Sequence, residues 1–146
     1  MVKQIAVEPA STWDLDAHSL TDSADEVLAL SDRLQAAFAI TASDIMLTKT
    51  MLGVFGCVPA FDRYFRMGFG CSTRCKPALK KIGKYCDGNQ AEIDSSDIFT
   101  LDFASGLDAE RRYTKAKIID MVFFQEGSNL EKARKQAQRR QAPVLS

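Results

Sequence analysis

Residues 44–56 are apolar on nearly every side when they are placed on a helix, and no other segment constrains the fold as strongly. Ser43 suits the N-cap of such a helix, and Asp44 suits the positive end of its dipole. A helix without a polar face is normally buried among the other elements of a bundle. Lys49 lies in the one polar break, where a lysine reaches the surface, pairs with an acid or serves a site. We therefore expect further helices to surround residues 44–56.

Capping signals and helical periodicity predict those further helices. Ser23 and Glu26 form a capping box ahead of an apolar stripe. A second box, Ser128 to Glu131, follows Gly127, which suits a helix stop. The predicted helices are residues 24–39, 59–67, from Pro77 onward, from Asp108 or Ala109 to about Glu126, and 129–141.

Together these patterns predict an all-α protein, a single compact bundle of five to six helices around the buried central helix 44–56. Residues 97–103 alternate in polarity and predict a minor extended segment. We divide the chain into an N-terminal arm with at most an edge strand (1–21), a helical core (22–127) and a basic C-terminal helix and tail (128–146). No apolar run reaches the ~18 residues of a membrane span, and the first residues lack a secretory pattern. We therefore expect a cytoplasmic protein without membrane contacts.

Four cysteines, Cys57, Cys71, Cys75 and Cys86, are either reduced thiols or the ligands of a metal. Thiolates bind zinc well, but zinc sites usually present two closely spaced pairs, and only one loose pair is present here. Cys57 lies in an apolar run, where a free cysteine packs as a small hydrophobic residue. We predict no metal and no cofactor, with a site of the four cysteines as the alternative.

Residues 63–85 contain seven basic residues and no acid, with aromatic residues between them. Basic side chains attract phosphates, and aromatic faces stack on nucleobases at ~1–3 kcal/mol each. A Gly/Ser/Thr turn before Pro77 adds amides and hydroxyls that can surround an anion. The alternative is a plain helix connection with lysines on a solvated surface, because the residue order is not that of a P-loop. The predicted ligand-binding residues are Arg63, Arg66, Ser72, Thr73, Arg74, Lys76, Lys80 and Lys81 for phosphates, and Tyr64 and Phe69 for stacking.

Charge is distributed unevenly along a chain whose net charge is zero. Residues 1–45 carry two basic and eight acidic side chains, whereas residues 129–141 carry five basic side chains and one acid. A basic terminal helix lies along nucleic acid, docks on the acidic region of its own chain or stays solvated. The sequence leaves these three alternatives open.

Asp62 is the best candidate for acid–base catalysis. Aromatic neighbours could exclude water from it, and Arg63 could pair with it. Basic side chains within residues 111–117 could reach the same cleft. The single histidine, His18, is expected on the surface, so a histidine-activated nucleophile is not expected. An ion-pair role for Asp62 is favoured, which leaves catalysis open but leans against an enzyme.

Three functions follow from these patterns. The first is a small helical binding module for a phosphate-bearing ligand, a nucleic acid or a nucleotide. The second is a protein–protein adaptor or inhibitor, or a homodimer, that uses the acidic residues 14–32. The third is a small enzyme that uses Asp62 on a phosphate-containing substrate.

Overall fold

The computed structural model describes residues 1–102 and 104–141, which are 67% helical and include one two-stranded antiparallel sheet. The helices are α1 Val2–Ala6, α2 Ala10–Trp13, α3 Leu20–Ala37, α4 Asp44–Val54, α5 Arg63–Phe69, α6 Lys76–Gly88, α7 Gln90–Ser95 and α8 Lys115–Gln141, and the strands are β1 Phe99–Leu101 and β2 Asp108–Arg112. This content is consistent with the expected all-α class, and β1 lies within the extended segment expected at 97–103. None of the helices described is both long and apolar enough to cross a membrane.

The N-terminal segment is helical and packs on α3, so the expected edge strand is wrong. Glu8, between α1 and α2, is buried, and its two carboxylate oxygens accept from the Arg33 guanidinium at 3.0 and 2.6 Å. Gln4 donates to the same carboxylate at 2.8 Å. The Arg33 hydrogen bonds hold the pKa of Glu8 below its usual value. A buried carboxylate needs such partners, and here they tie the segment to α3.

Helix α3 begins at Leu20, ahead of the capping box predicted at Ser23. The capping box is formed instead by Asp16 and Ser19 around the 3-10 turn Ala17–Ser19. Ser23 lies inside the helix, where its hydroxyl donates to the Ser19 carbonyl at 2.9 Å. Leu20 is fully buried, so the earlier start adds a core side chain that the predicted start would leave out.

Helix α8 differs from its prediction at both ends. Asp108–Arg112 pairs with β1 as an antiparallel strand, and the helix begins only at Lys115. Asp16 sets this start, because its carboxylate accepts from the amides of Lys115 and Ala116 at 2.9 and 2.8 Å. Gly127 does not end the helix, which continues to Gln141 without the predicted break. The division of the chain at residue 128 stays a prediction about domains, although the helix runs through it.

The most extensive helix packing joins α5 to α8, followed by α3 to α6. Two glycines allow α5 and α8 to approach closely. A Cβ on Gly127 would lie 1.9 Å from the Tyr64 carbonyl oxygen, and one on Gly68 would lie 2.1 Å from the Phe123 carbonyl oxygen. Gly127 therefore serves the contact with α5 rather than a helix stop. Helix α5 itself ends at Gly70, which takes the left-handed conformation with φ at 69°.

Helix α4 is less buried than its apolar sequence predicted. Ser43 caps it as expected, because its hydroxyl accepts from the Met46 amide at 3.2 Å. Leu47, Thr48 and Met51 are buried. Met46, however, is 38% exposed. Most of the largest fully buried side chains lie outside α4, namely Phe61, Phe65, Leu20, Leu30, Leu34, Leu79, Ile82 and Ile119.

Candidate anion-binding cleft

Two of the predicted phosphate ligands pair with acids from other helices. Arg63 on α5 pairs with Glu131 on α8, and Lys76 on α6 lies 2.6 Å from Asp25 on α3. Lys76 and Asp25 are both exposed, and such a pair typically contributes only ~0–1 kcal/mol, whereas the Glu131 partner of Arg63 is buried. The pairs nevertheless direct Arg63 and Lys76 toward different neighbours rather than toward one ligand.

Polar side chains of α4 and α5 hold the turn between α5 and α6 in place. Thr73 donates to the Asp44 carboxylate at 3.0 Å, and Arg74 lies 3.4 Å from the same carboxylate. Arg66 donates to the Ser72 carbonyl at 2.9 Å. The Arg74 side chain is only 13% exposed. These contacts favour a structural turn, and anion binding at this place stays an untested prediction.

The two aromatic residues predicted to stack on a base pack against other rings. Phe69 is 6% exposed, and its ring stacks on Phe65 with centroids 5.4 Å apart. It also meets Phe123 edge-on at 4.8 Å. This burial corrects the expectation that Phe69 offers a free face. Tyr64 packs edge-on against Phe124 at 5.0 Å, within the contact between α5 and α8.

A row of lysines on α6 lines a shallow groove together with Pro77. Lys81 donates to the Phe69 carbonyl at 2.8 Å and lies 4.7 Å above the Phe69 ring. Lys80 and Lys84 have no acid partner among residues 1–102 and 104–141. The lining consists of the lysines and Pro77, so the groove is a solvated cationic surface rather than a pocket.

The alternative metal site of four cysteines is not assembled in the part of the chain that the structure describes. All four are free thiols, and no group of three or more His, Cys, Asp or Glu side chains there is arranged to hold a metal ion. Burial raises the pKa of Cys57 to about 12 and that of Cys86 to about 11. Both side chains are fully buried, which makes these thiols poor nucleophiles and favours their role as small core side chains.

A larger cleft lies between the second half of α4, the loop of residues 55–62, the hairpin formed by β1 and β2, and the first half of α8. Its volume is about 940 Å³. Its lining combines apolar side chains, among them Leu52, Val54, Met121 and Phe124, with charged ones. The charged lining residues are Lys49, Asp62, Arg111, Arg112, Lys117 and Asp120.

The two carboxylates of this cleft are engaged by the protein. Asp62 caps α5, because one of its oxygens accepts from two amides in the first turn, both at 3.0 Å. Asp62 is thus a helix cap rather than the ion-pair partner of Arg63 that its position suggested. Asp120 is buried, accepts from the Ala60 amide at 2.9 Å and lies 3.1 Å from the Lys117 ammonium.

The cations of the cleft are less engaged than its acids. Lys49 is exposed, and neither Lys49 nor Arg111 has an acid partner among the residues described. Arg112 pairs with Asp97 at 2.7 Å and lies 5.4 Å above the Phe99 ring. The cleft therefore carries more basic than acidic side chains, and within the described part of the chain Lys49 and Arg111 have no acid partner.

Comparisons with protein-family models, curated proteins and solved structures find no match to this chain.

Some of the residues that line this cleft are recognisable in the sequence. Sequence patterns singled out Asp62 and placed the basic residues of 111–117 beside it, and all of these except Lys115 line the cleft. Lys115 pairs instead with Asp94 at 2.7 Å. Lys49 stands out in the sequence because it lies in the polar break of an apolar helix. That pattern does not show which residues surround its side chain. The residues predicted in 63–85 lie outside this lining.

Proposed function

We propose that this protein binds a phosphate-bearing small molecule with an aromatic body, such as a nucleotide, in the cleft between α4, the hairpin and α8. The observation that carries the proposal is that Lys49 and Arg111, two cations without an acid partner among residues 1–102 and 104–141, line the same amphipathic cleft. Ligand pockets typically measure ~300–1,000 Å³ and combine apolar lining with a few polar groups. The cleft meets both criteria.

The free cations suit a phosphate group. The planar guanidinium of Arg111 can donate to two phosphate oxygens side by side, and Lys49 adds a compact charge from α4. Hydrogen bonds of this charge-assisted kind contribute about 1.5–3 kcal/mol each. Arg112 and Lys117 already have acid partners, so we do not assign them direct contacts with the phosphate.

The apolar lining favours an aromatic body attached to the phosphate. Tyr113 and Phe124 both line the cleft, and Phe124 is 40% exposed. Aromatic side chains stack on nucleobases at ~1–3 kcal/mol per base. Free inorganic phosphate would leave this apolar surface uncovered, so a nucleotide uses more of the cleft.

The test is calorimetric titration of the chain with ATP and GTP, and then with adenosine and inorganic triphosphate. We expect a nucleoside triphosphate to bind more tightly than either of its parts. Arg111→Gln and Lys49→Gln should each weaken nucleotide binding about 10- to 100-fold, which is the loss of one charge-assisted hydrogen bond. Circular dichroism checks that both variants keep their helical content.

The matched control is Lys80→Gln, which removes an exposed lysine outside the cleft and should leave nucleotide affinity unchanged. The proposal is refuted if neither nucleotide binds at low salt and millimolar concentration. It is also refuted if Lys80→Gln weakens binding as much as Arg111→Gln does.

Catalysis at Asp62 is a second candidate, because its carboxylate lies in the same cleft as the free cations. The same samples are followed for phosphate release by phosphorus NMR. Asparagine caps helices as well as aspartate does, so Asp62→Asn should preserve α5. If the unaltered chain releases phosphate and Asp62→Asn of unchanged stability does not, catalysis by Asp62 is supported. If the unaltered chain releases no phosphate, catalysis is refuted and only the binding proposal stands.

We also propose a cytoplasmic location, which four free thiols support because thiols stay reduced there. The adaptor hypothesis has less support from the geometry. Within the acidic segment, Asp16 caps two helix starts and Asp25 pairs with Lys76, so part of that charge is already used within the chain.

A further inference from the structure

The last part of α8 extends beyond the packed body of the protein. Within residues 115–140, Glu131 is the last buried residue of α8, and residues 132–140 are all exposed. We call residues 132–140 the basic end of α8. It contains no acid and five basic residues, namely Lys132, Arg134, Lys135, Arg139 and Arg140. Lysine, arginine, glutamine and alanine all favour helix, and cations suit the negative end of the helix dipole.

Three of these cations share one side of the helix. At 3.6 residues per turn, Lys132, Lys135 and Arg139 project in similar directions and span about 10 Å along the axis. The nearest acid is Glu131, which lies 3.5 Å from Lys135 and also pairs with Arg63. Like charges three and four residues apart destabilise a helix. An external anion that meets this row therefore stabilises it.

We propose that the basic end of α8 binds the phosphate backbone of a nucleic acid duplex. Five basic side chains without an acid complement the regular charge of the phosphates. A helix with its side chains is ~10–12 Å across, and the major groove of B-DNA is ~12 Å wide. Gln136 and Gln138 lie between the cations and can bond to phosphates or base edges.

An anionic membrane surface is the less favoured partner. A helix that lies on a membrane needs a face of bulky apolar residues, and the apolar residues of the basic end are Ala133 and Ala137. The acidic part of the same chain does not cover this segment either, because its side chains are exposed. Charge complementarity with a phosphate polymer remains the argument for the partner.

The experiment is fluorescence anisotropy of a labelled DNA duplex of mixed sequence, titrated with the full chain at several salt concentrations. Binding through phosphates makes log K fall linearly with log salt, with a slope of about −0.9 for each phosphate contacted. The variant that combines Lys132→Gln, Lys135→Gln and Arg139→Gln should make this slope shallower by about 2.7. Glutamine is a good helix former, so the helical content should not change.

The control combines Lys3→Gln and Lys84→Gln, which removes two exposed charges elsewhere and leaves the predicted phosphate ligands intact. It should retain the slope of the unaltered chain. Equal losses in the two variants, no binding of the unaltered chain at low salt, or tighter binding to phosphatidylserine vesicles would each overturn the proposal. ATP titration of the variant at the basic end separates this proposal from the cleft, because nucleotide affinity there should be unchanged.

Discussion

Gly127→Ala tests the packing on which the fold depends most. Gly127 lies in the middle of α8, where a Cβ would meet the Tyr64 carbonyl oxygen at 1.9 Å and its carbonyl carbon at 2.6 Å. Ordinary contact begins at 3.4 Å, and both neighbours are backbone atoms that cannot turn aside. The added methyl group must therefore push α5 away from α8.

Two effects of opposite sign set the magnitude. Alanine is favoured over glycine inside a helix by about 1 kcal/mol. Overpacking of a well-packed contact costs about 1–3 kcal/mol, and each aromatic pair that loosens adds about 0.5–1.5 kcal/mol. Phe123 forms such pairs with Phe65 and Phe69 across the same contact. We expect a net loss of about 2–3 kcal/mol, which lowers Tm by about 4–12 °C in a domain of this size.

Urea unfolding followed by circular dichroism measures this loss, and Gly53→Ala is the matched control. Gly53 lies in α4, and nothing lies within 4 Å of a Cβ placed on it. This control should be neutral or should stabilise the chain by up to about 1 kcal/mol. If Gly127→Ala proves as harmless as Gly53→Ala, the close approach of α5 and α8 is refuted.

Two further substitutions test how the N-terminal segment is attached. Because Arg33 lowers the pKa of Glu8, the ionised pair stabilises the fold above the ordinary glutamate pKa of about 4.3, and this contribution disappears as pH falls through the lower folded-state value. Urea unfolding of Glu8→Gln beside the unaltered chain should show a gap at neutral pH that closes on acidification, and a gap independent of pH would contradict the pairing. Asp16→Ala removes the acceptor for two helix starts and should cost about 1–3 kcal/mol, whereas Asp22→Ala on the exposed side of α3 should change stability by less than about 0.5 kcal/mol. Equal urea midpoints for these two variants would contradict the shared cap.

Capping residues and prolines in the sequence predict some helix ends correctly and others wrongly. Ser43 caps α4, and Pro77 lies in the first turn of α6, as the sequence predicted. The second capping box failed because Glu131 does not reach back to an amide. Its carboxylate pairs with Arg63 instead, and the neighbouring Tyr64 hydroxyl together with Arg63 holds the pKa of Glu131 below its usual value. The same short motif can therefore cap a helix or hold two helices together, and only the packing distinguishes them.

The candidate cleft shows the same limit. Asp62 and the basic residues after 110 were recognisable because titratable groups stand out in a sequence. Their position in one cleft with Lys49 could not be recognised, because it requires α4, the β1–β2 hairpin and α8 to lie side by side. The basic stretch of 63–85 was conspicuous in the sequence, but acids distant along the chain now pair with Arg63 and Lys76.

The order of residues was sufficient for the helical class, for the N-cap of α4, for the position of Pro77 in the first turn of α6, and for the basic character of the end of α8. Each of these depends on neighbours within a few turns, whose chemistry is visible along the chain. The start of α8 and the composition of the cleft came from contacts between distant residues, such as Asp16 with Lys115. Those contacts depend on which surfaces fit when helices pack, and a backbone carbonyl against Gly127 leaves no local trace in the sequence.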